Sequence, residues 1–274
     1  MKRMMGREAP APVLNALLER YRAIGGSSPL AAITEEQARL LSKKTGDRFT
    51  IRGAFRYSSP TIEEMIDQCC DSGAERIVFL IMSPFYTSKT AGTSIKAAQE
   101  HLKGLRPEPR SVFVHSWCRE PLFLEAWKER IKEEAARENA FYLFAAHSLP
   151  ESLSNEPYKG QIEETVASLA RDLGLVGNFA LGWQSVPARV DEPWIGPSVE
   201  SLMDNVCMKW KHLVEVPIGF VSDHLETLYD MDITHRHYAE SRGVRFSRVP
   251  SLNTYAPYIT ALRSILLRSL GEEV

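Results

Sequence analysis

The chain has 274 residues, 44% of them hydrophobic and 25% charged, and 33 basic against 35 acidic residues leave a net charge of −2. These fractions exclude a fibrous, collagenous or largely disordered chain, and the balanced charge argues against a nucleic acid as partner. At about 150 residues per domain, the length suits two domains or one large one.

Apolar runs such as residues 77–82 are far too short to span a membrane. Met1-Lys2-Arg3 is basic, but residues 6–12 supply no hydrophobic stretch behind it, so no signal peptide is read. The four cysteines (Cys69, Cys70, Cys118, Cys207) form no CxxC pair and no disulfide framework, and the vicinal pair reads as part of a helix face. A reducing cytoplasm is the expected compartment.

In chain order, Thr34 and Gln37 have capping-box spacing at the start of an early helix. Short apolar, β-branched or aromatic runs at 49–51, 76–83, 111–116, 141–147, 179–183, 213–219 and 244–249 predict strands. Between them run helical stripes. Leu124, Trp127, Ile131 and Ala135 follow Pro121 at a helix start. Ile162, Val166, Leu169 and Leu173 stop at Gly174, and Ile259, Leu262, Leu266 and Leu270 stop at Gly271. Strands that are apolar almost throughout are buried on both faces. Alternating with helices, they predict an α/β fold with a parallel sheet covered on both sides. In such sheets ligands collect at the carboxyl ends of the strands. The Pro-rich patch 106–110 is the expected boundary between two halves.

Common motifs are missing. No GxGxxG follows a strand and no GxxxxGK[ST] occurs, so a phosphate cradle is lacking. HExxH and GxSxG are also absent. Gly25-Gly26, Gly174 and Gly177 read as turn glycines.

Two segments carry chemistry. In Phe144-Ala145-Ala146-His147-Ser148-Leu149-Pro150 an apolar strand ends in a histidine and then breaks, which puts an imidazole where ligands bind. A lone histidine at a strand end is more often structural than functional, and adjacency to Ser148 makes no triad. In Pro217-Ile218-Gly219-Phe220-Val221-Ser222-Asp223-His224-Leu225-Glu226-Thr227-Leu228-Tyr229-Asp230-Met231-Asp232 a strand runs into a helix. Asp223 and Glu226 have capping-box spacing, the structural reading. Glu226 and Asp230 are four apart and share a helix face, where two like charges suit either solvent or a cation. His235 and His237, at i and i+2, do not face each other on a helix and read as surface residues.

Taken together, AHSLP followed by GFVSDHLETLYDMD resembles the ferrochelatase family. Supporting segments are Arg20-Tyr21, Ile24-Gly25-Gly26 and Ser28-Pro29-Leu30-Ala31, then Trp183-Gln184-Ser185 and Glu192-Pro193-Trp194-Ile195-Gly196-Pro197. The resemblance runs from about Val13 onward, and its form is most similar to the coproporphyrin ferrochelatases of Gram-positive-type bacteria. It implies two Rossmann-like three-layer αβα halves with parallel sheets and a porphyrin cleft between them. The first half would comprise residues 1–109, joined by a C-terminal helix in 252–274, and the second residues 110–251.

The activity implied is insertion of Fe(II), as substrate metal, into coproporphyrin III to form coprohaem in haem biosynthesis. Alternatives are a protoporphyrin IX ferrochelatase or a truncated porphyrin- or haem-binding paralogue without catalysis. By the resemblance, His147 is the pyrrole-facing base or iron ligand, Glu226 faces it, and Asp230 extends an acidic path for metal or protons. Arg20, Tyr21 and Ser28 would contact propionates, and Trp194 would pack on the macrocycle. A monomer is expected. No cysteine follows Cys207, so no iron–sulfur cluster is expected.

The chain departs from the family pattern at four places. Thr234 stands where another acid often continues the ridge. Trp117-Cys118-Arg119-Glu120-Pro121 lacks a frequent tyrosine, and Phe85 replaces a frequent histidine. Only residues 1–19 precede Arg20, so the family's opening strand, its G-T-P turn and the lid arginines are not found there. A start codon placed too late is one reading of that shortness.

Overall fold

The computed structural model describes residues 10–134, 139–187 and 191–272. The basic start Met1-Lys2-Arg3 and Ala135 of the predicted stripe lie outside them. The chain divides into two compact units, one of Met1–Trp117 with Ile259–Val274, the other of Cys118–Tyr258.

The first unit contains α1 (Ala11–Ala23), α2 (Leu30–Thr45), α3 (Ile62–Asp71), β1 (Arg76–Leu80), α4 (Ala91–Leu102) and β2 (Arg110–Val114). β1 and β2 pair in parallel, with Arg76 opposite Arg110. Their inner side chains, Phe79 and Phe113, stack at 4.5 Å. Ile62 and Ile66 of α3 and Ala98 and Leu102 of α4 close over them. That ladder holds β2 to the first unit, so the division falls at Trp117 and not at the Pro-rich patch before β2. Trp117 secures the end, its indole N–H donating to the Ile81 carbonyl at 2.8 Å.

Two local expectations for this unit are corrected. Residues 49–51 form no strand; Phe49 is extended (φ −133°, ψ 136°), but an extended run without a hydrogen-bonded neighbour makes no ladder. Nor is Thr34 a cap. α2 begins one turn earlier, with Pro29 at its N-cap, and the Thr34 hydroxyl donates back to the Leu30 carbonyl at 2.8 Å. The capping box is at α3. There the Thr61 hydroxyl accepts the Glu64 N–H at 3.2 Å and the Glu64 carboxylate accepts the Thr61 N–H at 2.7 Å.

The second unit contains α5 (Pro121–Glu134), β3 (Phe141–His147), α6 (Pro157–Asp172), β4 (Phe179–Gln184), α7 (Val199–Lys209), β5 (His212–Val216), a π-helix (Glu226–His235), α8 (Arg236–Glu240) and β6 (Arg245–Arg248). α9 (Ala256–Ser269) starts in this unit and continues into the first. The sheet is parallel throughout, in the order β4-β3-β5-β6. Every residue of β5 is buried, and in β3 all but His147, as expected for strands covered on both faces. On one face Val199, Met203 and Val206 of α7 and Met231 of the π-helix pack on Leu143, Ala145 and Leu213. On the other, the Tyr158 ring of α6 meets Trp183 at 6.0 Å. The predicted stop at Gly174 is a left-handed residue (φ 69°) just past α6.

This topology positions the site. From β3 the chain moves to β4 on one side, then crosses back to β5 on the other. The switch point of the sheet therefore lies between the carboxyl ends of β3 and β5. Among the described residues no helix is long and apolar enough to cross a membrane.

Candidate active site

His147 is the last residue of β3 and half-buried. Its ring Nδ1 lies against the Ser148 carbonyl. A carbonyl only accepts, so Nδ1 is the donor in this contact, and in the neutral ring Nε2 is the acceptor. The Ser148 hydroxyl donates to the Ile195 carbonyl at 2.6 Å, and its N–H to the Gln184 carbonyl at 2.8 Å. Tyr158 donates to the His147 carbonyl at 3.0 Å. The imidazole is thus mounted on a backbone tied from three directions.

Glu226 comes from the other side of the switch point. After β5 the chain turns at Pro217-Ile218-Gly219, where the Gly219 N–H donates to the Ala145 carbonyl at 3.2 Å. A Cβ on Gly219 would lie 2.9 Å from the Ala146 Cα, so only glycine lets the turn press against β3. Gly219→Ala is expected to cost about 1–3 kcal/mol through this overpacking and to lower activity by displacing His147. Thermal melts beside rate measurements on the variant check it, and an unchanged melting temperature would refute the packing argument.

Past that turn the π-helix starts at Glu226, whose carboxylate Oε1 faces His147 Nε2 at 3.8 Å. Its other oxygen is 3.9 Å from His224 Nε2 and 3.4 Å from the Ser185 hydroxyl, which donates to it. Burial pushes the His224 imidazole below its usual value, outweighing the opposite pull of Glu226, so it stays neutral at pH 7. Ser185 follows β4 in the left-handed region (φ 65°), a conformation that costs a non-glycine residue about 1–2 kcal/mol. Beside His147 in the ladder, the Gln184 amide is buried and has no hydrogen-bond partner among the described residues. Two imidazoles and a carboxylate therefore converge, an open set of donors separated by slightly more than hydrogen-bond length. Such a set can pass a proton. Among the described residues no group of three or more His, Cys, Asp or Glu side chains is placed to hold a metal ion.

The remaining predicted residues are distributed as follows. Asp230 is half-buried one turn along the π-helix from Glu226, so these two do share a face. Trp194 is half-buried and bridges in antiparallel fashion to Pro150, which places it just beyond His147. Arg20 and Tyr21 lie on α1, and the Ser28 hydroxyl accepts the Leu30 N–H at 3.3 Å before α2; all three belong to the first unit.

Two expectations are corrected here. Asp223 caps nothing, because its carboxylate is taken by Arg248, Ser251 and Asn253, and the His224 N–H instead finds the Thr227 hydroxyl at 2.9 Å. His235 is not a surface residue. It is 3% exposed, with Nδ1 on the fully buried Glu215 at 2.9 Å, whereas His237 is exposed. No sequence pattern assigns His224 a role; its place two residues before Glu226, in the segment that follows β5, is the usable signal.

The ferrochelatase family model matches residues 12–270. The chain belongs to the ferrochelatase family. Among curated relatives, the coproporphyrin III ferrochelatase of Anoxybacillus flavithermus is 35% identical, over 98% of this chain and 89% of its own length. The enzyme of the same name from Geobacillus kaustophilus is also 35% identical with the same coverage, and that from Halalkalibacterium halodurans 32%, covering 98% and 90%. Among solved structures, SirB from Bacillus subtilis with Fe3+ is similar at a TM-score of 0.56 and 14% identity, covering 87% of this chain and 91% of that one. The sirohydrochlorin chelatase SirB in complex with cobalt, from subspecies spizizenii, gives 0.54 at the same identity, covering 86% and 88%. These likenesses speak for the fold, an α/β ferrochelatase-family architecture with parallel sheets.

Proposed function

We propose that this ferrochelatase-family enzyme inserts Fe(II) into coproporphyrin III, giving coprohaem. The observation that carries the reading is His147 Nε2 facing the Glu226 carboxylate at 3.8 Å across the switch point. Insertion must remove two pyrrole N–H protons as the cation enters the ring. His147 accepts a proton at Nε2, and Glu226 takes it onward or holds the arriving ion. Asp230, a turn behind, extends the acidic line. Trp194 supplies an apolar wall beside His147. Arg20, Tyr21 and Ser28 are assigned to substrate carboxylates, for which a guanidinium fork is suited. Support for coproporphyrin over protoporphyrin comes from the names of the relatives. On this reading the enzyme works in the cytoplasm as a monomer without an iron–sulfur cluster.

Anaerobic Fe(II) insertion, followed by the loss of free-porphyrin fluorescence, tests the proposal. Each charge-assisted contact to a carboxylate is worth about 1.5–3 kcal/mol, so coproporphyrin III should exceed protoporphyrin IX in kcat/KM by about tenfold or more. Equal or reversed efficiencies would overturn the substrate assignment. Tight porphyrin binding with no metal inserted would identify a binding protein in place of an enzyme.

A further inference from the structure

Four carboxylates crowd the segment that carries the proposed chemistry: Asp223, Glu226, Asp230 and Asp232. All four are strong oxygen ligands, yet the structure treats them differently. Arg248, the last residue of β6, has a side chain only 9% exposed. Its Nε and Nη2 donate to the two oxygens of Asp232, each at 2.8 Å, and its Nη1 donates to Asp223 at 3.0 Å. The Asp223 carboxylate is completed by the Ser251 hydroxyl at 2.8 Å and the Asn253 amide at 2.7 Å, while the Asp223 N–H donates to the Asn253 side-chain oxygen at 2.8 Å. One guanidinium thus clips both flanks of the segment to β6, and Glu226 between them is turned toward His147, His224 and Ser185.

We infer that Arg248 is a positioning residue that sorts these acids, fixing the start of the π-helix so that Glu226 faces His147 while withholding Asp223 and Asp232 from the incoming cation. The inference rests on the proposed function for its kinetic consequence but not for its cation-binding consequence. The residue type matters. A guanidinium offers five donors in a planar fork, enough for a two-point contact with one carboxylate and a third contact with another, whereas an ammonium is a point charge on a flexible stem. Burial alone would weaken the charge of Arg248, but its bonds to the two aspartates more than restore it. The same cation, with Asn253 and Ser251, keeps Asp223 ionised against the effect of burial.

Three variants of the full chain test this: Arg248→Met, Arg248→Lys and Asp232→Asn. Co(II) binding is read without porphyrin by titration calorimetry, and Fe(II) insertion by steady-state kinetics. Arg248→Met leaves Asp232 facing only Arg236, at 3.9 Å, and Asp223 only its neutral partners Ser251 and Asn253, so Co(II) uptake should rise by about one equivalent per chain. Displacement of Glu226 should lower kcat by about 10–100-fold. Arg248→Lys should return the Co(II) stoichiometry to that of the unaltered protein but leave kcat low, the split that a merely structural role would not produce. Asp232→Asn keeps the Asp223 contact and should lower kcat without adding Co(II).

Wild-type stoichiometry and wild-type kcat in a folded Arg248→Met would overturn the inference. Should that variant not fold, an undiminished kcat in both Arg248→Lys and Asp232→Asn would overturn it equally. If the unaltered chain inserts no metal, the proposed function fails, and the Co(II) stoichiometries still decide whether Arg248 sorts the acids.

Discussion

Truncation of His147 to alanine should lower Fe(II) insertion by about 10²–10⁴-fold, the contribution of a positioned general base, with porphyrin binding retained. The expectation follows from the mounting of the ring. Nδ1 is committed to the Ser148 carbonyl, which leaves Nε2 to take up a pyrrole proton, 3.8 Å from the Glu226 carboxylate. Removing the ring leaves the bonds made by the Ser148 N–H and hydroxyl and by the Tyr158 hydroxyl in place, and because the side chain is 35% exposed its loss should cost little stability. Glu226→Gln should show a comparable fall, since the amide keeps the shape but neither takes up a proton nor balances a cation. Single-turnover metalation of both variants, alongside fluorescence titration of porphyrin, separates chemistry from binding. Turnover near that of the unaltered enzyme by His147→Ala would remove the residue from the chemistry.

The largest stability effect is expected at Glu215, a carboxylate on β5 with no solvent exposure, paired to His235 at the end of the π-helix. Glu215→Ala strands a buried imidazole, and breaking a buried pair from one side costs about 3–5 kcal/mol. At roughly 2–4 °C per kcal/mol for a domain of this size, the melting temperature should fall by about 10 °C. Replacing both partners, in Glu215→Leu with His235→Leu, should cost far less, because no unpaired polar group is left inside.

The pair also has a pH signature. Burial pushes the His235 imidazole down, but Glu215, with help from Glu200 and Asp230, more than offsets this and raises it above its ordinary value. A group raised on folding contributes stability in full below its unfolded value of about 6.5 and loses it as pH rises through the folded value. The melting-temperature difference between the unaltered protein and His235→Gln should therefore be largest near pH 5.5–6 and shrink toward alkaline pH. A difference that grows with pH would show that His235 is neutral in the fold.

The two predictions concern residues that the sequence exposed very unevenly. The place of His147 at the end of β3 is legible because it interrupts an apolar run at the point where a fully buried strand must end, and ligands in such sheets collect at strand ends. His235 was misread because helical spacing describes only neighbours on the same helix. Its partner lies twenty residues earlier on β5, brought beneath it by the packing of the π-helix on the sheet. The Asp223 and Glu226 spacing failed in the same manner: a local capping pattern was outcompeted by a guanidinium from β6. Thr34 and Gln37 were displaced by Pro29, which starts α2 a turn sooner.

By itself, then, the sequence determined the strands β1 to β6, the long amphipathic helices and the family to which the chain belongs. These depend on apolar period, on stop glycines and on short contiguous motifs, all of which are local. The tertiary structure alone decided the strand order that makes β3 and β5 neighbours, the facing of His147 and Glu226, and the allotment of Asp223 and Asp232 to Arg248. Those depend on contacts between residues far apart in the chain, whose geometry is set only when the sheet closes and buried charges must find partners.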